Sequence, residues 1–246
     1  MSSRFFHTIS ETRRLYVAHK LQDELSGEWG AIVFYRWISF VISAIFLQWG
    51  VTANMVTWSS IFLCLLLPFA LLFNPEVAYI YLAIGAIIIA ILDCVDGNIA
   101  RVTNTTSAKG QYIDFIADIF YRTSLYATLG FIVQAAYSND FFMIRFAGFF
   151  CLMAAILAVT ARLCRIYVEK RFPDVRPAGS GNYQGSPAHN IKSYIFSFVS
   201  GLDHLLPIFI LIAGIYGLLF WVMIWILFYS LLDFIYTQWN IVRRLA

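Results

Sequence analysis

Four aspartates border some of the most apolar sequence in this chain: Asp93 and Asp96 in "LDCVDGNIAR", and Asp114 and Asp118 in "GQYIDFIADIF". On a helix of 3.6 residues per turn, Asp93, Asp96 and Ala100 share one face, because their spacings are i, i+3 and i+7. Asp114 and Asp118, at i and i+4, share a face of the next helix. Only the turn "VTNTTSAKG" separates the pairs, so the two helices are expected to be antiparallel neighbours whose four carboxylates meet at one level. Anions so placed repel, and each costs about 2.5–3.5 kcal/mol near a bilayer centre. The cations close by in sequence are Arg101, Lys109 and Arg122, and Arg122 is spaced to pair with Asp118. Divalent metal ions are the better compensation, since hard cations take carboxylate oxygens and keep positions open for phosphate. Two of them at one cluster clamp the attacking and leaving oxygens of a phosphoryl transfer. Gly97, Ala100 and Gly110 leave room for a bulky group beside the acids. The plainer alternative is a helix-packing hydrogen bond or a proton relay.

The elements that must carry these residues are membrane helices. The 246 residues are 61% hydrophobic and 13% charged, with a mean hydropathy of +0.74. A soluble domain is nearer half apolar and a quarter charged, so an all-α, polytopic membrane protein is expected. A hydrocarbon core about 30 Å thick takes about 20 residues of helix. Six spans are expected, at residues 55–73, 77–98, 112–137, 140–165, 193–217 and 218–241, forming a domain over 51–246. The formal charge of +3 gives no reason to expect a nucleic-acid partner. Cys64, Cys94, Cys151 and Cys164 have no metal-type spacing and read as reduced, buried residues. The first 28 residues are polar and charged, unlike a cleavable signal peptide.

Basic residues set the orientation. Arg4, Arg13, Arg14, Lys20 and Arg36 precede the first span, Arg101 and Lys109 follow the second, and Arg165, Lys170, Arg171, Arg176 and Lys192 follow the fourth. Arg243 and Arg244 close the chain, whereas the connections near 74–77, 138–140 and 214–218 hold neither Lys nor Arg. This positive-inside pattern puts both termini, and the aspartates, at the cytoplasmic side. Making 31–49, "AIVFYRWISFVISAIFLQW", a further span would put the basic N-terminus outside. It is therefore expected to lie in the interface, preceded by an amphipathic helix near 8–26, so that 1–50 forms an N-terminal interfacial region. The alternative, that 31–49 spans, stays open. Residues 172–190, rich in Gly, Pro and Ser, read as a cytoplasmic connector without a phosphate-loop pattern. The "NTT" at 104–106 falls on the cytoplasmic side and is discounted as a glycosylation sequon.

The pattern Asp93-x-x-Asp96-Gly97-x-x-Ala100-Arg101, then Gly110-x-x-x-Asp114-x-x-x-Asp118, resembles the full signature of the CDP-alcohol phosphotransferases, which include the CDP-alcohol phosphatidyltransferases (class I). Upstream, "GVTANMVTWSS" is similar to the segment that opens the family's first core span, with Ala53 in place of its usual proline. "YRWISFVISAIF" resembles the family's interfacial helix. The resemblance implies a membrane enzyme that displaces CMP from a CDP-alcohol and transfers the phospho-alkyl group to a hydroxyl. It implies that Asp93, Asp96, Asp114 and Asp118 bind two divalent ions, magnesium or manganese, with Asp118 also the general base. It places Gly97, Ala100, Arg101 and Gly110 in the cytidine diphosphate pocket, closed by Asn54 and Thr57. A homodimer in a prokaryotic cell membrane is the expected setting.

The substrates are less legible. A CDP-diacylglycerol-type donor with a small polar or phosphorylated acceptor is favoured for this short chain, over a CDP-choline- or CDP-ethanolamine-like donor with a lipid acceptor. Arg162 and Arg165, at i and i+3, resemble arginines that grip an acceptor phosphate in members of the family, a role suited to bidentate guanidinium groups; they read equally as positive-inside anchors. Lys109 either touches phosphate or lies in water. Arg145 reads as an interfacial anchor. Asp203, His204 and Asp233 read as polar contacts bridging helices. A proton-coupled transporter is the distant alternative, but neither internal repeats nor matched broken helices are visible.

Overall fold

In lipid, a spanning backbone must satisfy its own N–H and C=O groups, and helix does this within one segment. The structure, a computed structural model, describes residues 2–25, 27, 29–137, 141–172, 198–199 and 201–245. The expected connector beyond 172 (with Arg176 and Lys192), the 138–140 connection and the start of the 193–217 span lie outside these residues. Among the described residues the regular elements are all helical: α1 (Ser2–His19), α2 (Leu21–Leu25), α3 (Trp29–Gln48), α4 (Ala53–Leu66), α5 (Pro75–Val102), α6 (Ala108–Ala136), α7 (Phe142–Arg145), α8 (Ala147–Arg171), α9 (Leu206–Ile215) and α10 (Leu219–Leu245).

Local chemistry sets the boundaries. After α4 the chain tightens into a 3-10 turn, Leu67–Leu72, because Pro68 has no N–H to give the Cys64 carbonyl. Asn74 caps α5 through a bond from Glu76 N to its Oδ1 at 3.1 Å, and Pro75 takes the first helical position, where no N–H is needed. Three helices end alike. Gly50, Asn104 and Gly217 have φ of 71°, 52° and 67°, and each sits inside a paired turn in which the following N–H reaches back five residues. Those bonds are Val51 N to Phe46 O, Thr105 N to Ala100 O, and Leu218 N to Ala213 O, at 3.0, 3.0 and 2.7 Å. This left-handed cap reverses the chain sharply and satisfies terminal carbonyls.

Among the described residues, five helices are long and apolar enough to cross a membrane: Trp29–Gln48, Ala53–Leu72, Pro75–Val102, Ala147–Arg171 and Leu219–Arg243. The chain is thus an all-helical, multi-pass membrane protein, but the set differs from the six expected spans. α6 is 29 residues long, yet Lys109, Asp114, Asp118 and Arg122 lower the hydropathy of its first half. α9 is only 10 residues, and the residues before it are largely outside those described. α3 joins the set, so length and composition do not separate it from spanning helices as an interfacial reading of 31–49 would require. The span expected at 140–165 is displaced: the helix breaks at Phe146 and resumes as α8.

The chain divides into two units. The first comprises Met1–Leu66, Ala83–Tyr121 and Pro187–Ile208. Its core joins Ala31 and Tyr35 of α3, Val56 of α4, and Ile91, Cys94, Val95 and Ile99 of α5. A second cluster packs Ile61 of α4 on Ile113 and Ala117 of α6. α1 and α2 pack on α3, and the Tyr35 hydroxyl donates to the His204 carbonyl at 3.0 Å.

The second unit comprises Leu67–Leu82, Arg122–Ser186 and Phe209–Ala246. α8 turns a face of small buried residues inward, from Ala147 and Cys151 to Ala158 and Ala161, which lets helices approach closely in the absence of a hydrophobic drive between them. Gly130 shows how close: a Cβ there would sit 2.6 Å from Cys151 Cβ and 2.7 Å from the Ala147 carbonyl oxygen. Tyr137 latches the α9–α10 turn, its hydroxyl donating to Gly217 O at 2.6 Å and accepting from Leu219 N at 3.2 Å. The four cysteines are free thiols, and Cys64, Cys94 and Cys151 are buried.

Candidate active site

The cluster of aspartates lies within the first unit. Asp93 and Asp96 stand near the C-terminal end of α5, and Asp114 and Asp118 in the first turns of α6. The turn between them is the left-handed cap at Asn104, and α6 restarts on Ser107, whose Oγ accepts from Gly110 N at 3.1 Å as a helix cap should. The charges of Asp114, Asp96 and Asp118 all act on Asp93, so the other three carboxylates lie within electrostatic range of it. Asp93 is exposed. Asp114 is exposed, Asp118 half-buried and Asp96 buried. Cys64 of α4 lies within the fields of Asp118 and Asp93, which locates α4 beside the same cluster.

Each remaining expected residue of this group has a definite place. Thr57 Oγ1 donates to Asp96 Oδ2 at 2.7 Å and to Ala53 O at 3.1 Å, which fixes one carboxylate of the cluster from α4. Exposed Asn54, one turn earlier, has its Oδ1 3.5 Å from where a Gly110 Cβ would stand, so α4 and the start of α6 come together here. Gly97 and Arg101 are also paired: a Cβ on Gly97 would lie 3.2 Å from Arg101 Nη1, so the guanidinium folds back over the glycine. Its charge acts on Asp96. Ala100 is half-buried on the same turn, and Lys109 is exposed at the start of α6.

Arg162 and Arg165 belong to α8 in the second unit. Arg165 Nη1 donates to Asp233 Oδ1 at 2.8 Å and Thr237 Oγ1 at 2.7 Å on α10. Asp233 therefore bridges helices, as the sequence suggests, and Arg165 is its partner.

Other residues of the site are not among those expected above. Buried Arg36 on α3 forms an ion pair with fully buried Glu24, with Nε to Oε2 at 3.0 Å and a closer Nη2–Oε1 contact. Its Nη1 reaches the Cys94 carbonyl at 3.3 Å and Asn98 Oδ1 at 3.4 Å, directly behind the aspartate turn. Tyr16 of α1 donates to Glu24 Oε2 at 2.8 Å; burial and the Glu24 carboxylate hold its pKa well above the usual phenol value, so it stays a donor. A signal for this network does exist in the sequence: Arg36, Ser39 and Ser43 have the same i, i+3, i+7 spacing as Asp93, Asp96 and Ala100.

Four carboxylates supply only hard oxygen donors, which fits magnesium, manganese or calcium rather than a softer metal. Among the described residues, no three acidic, His or Cys side chains are drawn together as a ready metal site. The donor chemistry of the four acids fits divalent ions.

Five apolar helices long enough to span, among the described residues, make the chain a multi-pass integral-membrane protein. The family model for CDP-alcohol phosphatidyltransferase matches residues 50–231, which include the four aspartates, Asn54, Thr57 and Arg101, and the chain belongs to that family. Its members are transferases of the EC 2.7.8 type and use divalent metal ions. The chain is accordingly a transferase, and its family implies a CDP-alcohol and a hydroxyl acceptor as substrates. No curated protein matches the sequence.

Proposed function

We propose that the chain is a phospholipid-synthesising transferase that moves the phospho-alkyl group of a CDP-diacylglycerol-type donor to the hydroxyl of a small polar or phosphorylated acceptor. The observation that carries this reading is the gathering of Asp93, Asp96, Asp114 and Asp118 in a chain of this family. The acceptor oxygen attacks the phosphorus that bears the alcohol, and the P–O bond to CMP breaks. Asp118 takes the hydroxyl proton as general base. Two divalent ions held by the four aspartates would offset the charge of the diphosphate and of departing CMP. Arg101 and the space over Gly97, Ala100 and Gly110 receive the cytidine diphosphate, with Asn54 closing the pocket. Thr57 orients Asp96. Arg162 is assigned to the phosphate of a phosphorylated acceptor, with Lys109 beside the diphosphate; Arg165 donates to Asp233.

The basic clusters support a site at the cytoplasmic face, in a proposed six-span topology with α1 to α3 in the interface, and a homodimer is the proposed assembly. The test is a mass-spectrometric screen of CDP-alcohols against hydroxyl acceptors with purified protein and Mn2+. Product is expected from CDP-diacylglycerol and a phosphorylated polyol, with Arg162→Ala raising the acceptor KM about tenfold, the loss of one charged phosphate contact. Product only from CDP-choline or CDP-ethanolamine with diacylglycerol would overturn the donor assignment.

A further inference from the structure

Asn98 occupies an unassigned position between Gly97 and Arg101, and its side chain joins the aspartate helix to α3. An amide offers two N–H donors and two acceptor positions, and all four are used. Nδ2 donates to Ser39 Oγ at 3.1 Å and Ser43 Oγ at 3.3 Å. Oδ1 accepts from Arg101 Nη2 at 2.9 Å and Arg36 Nη1 at 3.4 Å. The two serines are prepared for this: each donates its own proton to the α3 backbone, Ser39 to Arg36 O at 2.8 Å and Ser43 to Ser39 O at 2.6 Å. Their lone pairs are thereby left for the amide, which is buried and cannot turn over without losing every bond.

The two arginines that meet at Oδ1 differ in their charge balance. Arg36 is paired with buried Glu24. Arg101 is half-buried, lies over Gly97, and is held by a neutral oxygen. A carboxylate in the same place would fix the guanidinium equally well, but it would also neutralise it. An amide holds the group and leaves its charge for an incoming anion.

We propose that Asn98, oriented by Ser39 and Ser43, is a positioning residue that holds Arg101 over Gly97 with its charge directed to the diphosphate of the donor. The inference rests on the CDP-alcohol reading above. It also gives α3 a part in the site, although Ser39 and Ser43 precede the family-matched residues 50–231.

The test measures CDP affinity in the presence of Mn2+, and the melting temperature without ligand, for the wild type, Asn98→Asp and the double variant Ser39→Ala/Ser43→Ala. Asn98→Asp is expected to weaken CDP binding at least tenfold in protein that stays folded, because its carboxylate neutralises Arg101 while its second oxygen gives up the two serine bonds. The double variant, which frees the amide to turn and serves if Asn98→Asp does not fold, is expected to weaken CDP binding at least threefold. Unchanged CDP affinity in the variants, or a loss of affinity that only follows a lowered melting temperature, overturns the inference alone. A folded wild type that binds no CDP overturns the functional reading and this inference with it.

Discussion

Asp96 shows how one carboxylate of the site is prepared. It is the buried member of the four, and the Thr57 hydroxyl bonds it from α4 at 2.7 Å. A hydrogen bond to a charged group contributes about 1.5–3 kcal/mol. Thr57→Val, which keeps the shape and removes the hydroxyl, is therefore expected to lower kcat about tenfold and leave the melting temperature nearly unchanged. Steady-state CMP release over a donor titration checks this; an unaltered kcat would mean that Thr57 serves packing alone. The aspartates themselves were legible in the sequence because a charge in an apolar helix must be compensated. Thr57 was legible only through family resemblance, and its bond to Asp96 needed the fold, since 39 residues separate the two.

At the scale of elements, turns and buried pairs hold the site in place. Asn104 supplies the left-handed residue, φ 52°, that ends α5 and lets α6 begin four residues later, at Ala108. A side chain without a local polar group pays about 1–2 kcal/mol there, so Asn104→Ala is expected to lower the melting temperature while Asn104→Gly does not. Thermal unfolding in detergent distinguishes them, and equal stability of the two would remove the cap argument. Glu24 is a stronger constraint. Removing one partner of a buried ion pair costs about 3–5 kcal/mol, and Glu24→Gln leaves Arg36 charged behind the aspartate turn. A fall in melting temperature of several degrees is expected, and a variant as stable as the wild type would contradict it. The pair was hidden in the sequence: Glu24 lies in a polar segment and Arg36 in an apolar one, and nothing in their spacing says that α2 and α3 fold together. By contrast, "VTNTTSAKG" announced its turn through Asn, Ser and Gly.

At the scale of the whole molecule, composition alone identified a polytopic membrane protein, because no soluble core needs such a share of apolar residues. The number of spans was less legible. α6 has the length of a span but carries the candidate site's charges, so the residues proposed for the chemistry also blur its hydropathy. α3 shows the converse: its apolar composition masks the Arg36, Ser39 and Ser43 stripe that faces α5. Both arginines of α8 resembled phosphate ligands in sequence, and only the fold pairs Arg165 with an acid. The central claim is that the four aspartates carry metal-dependent displacement of CMP, and its most direct test is CMP release by the purified full-length protein. With CDP-diacylglycerol and a hydroxyl acceptor, CMP is expected with Mg2+ or Mn2+, none after chelation, and recovery when the metal is returned. Asp118→Asn is expected to lower the rate about 10²–10⁴-fold. A folded, metal-replete wild type that releases no CMP from any CDP-alcohol, or an Asp118→Asn variant as fast as the wild type, would contradict the account.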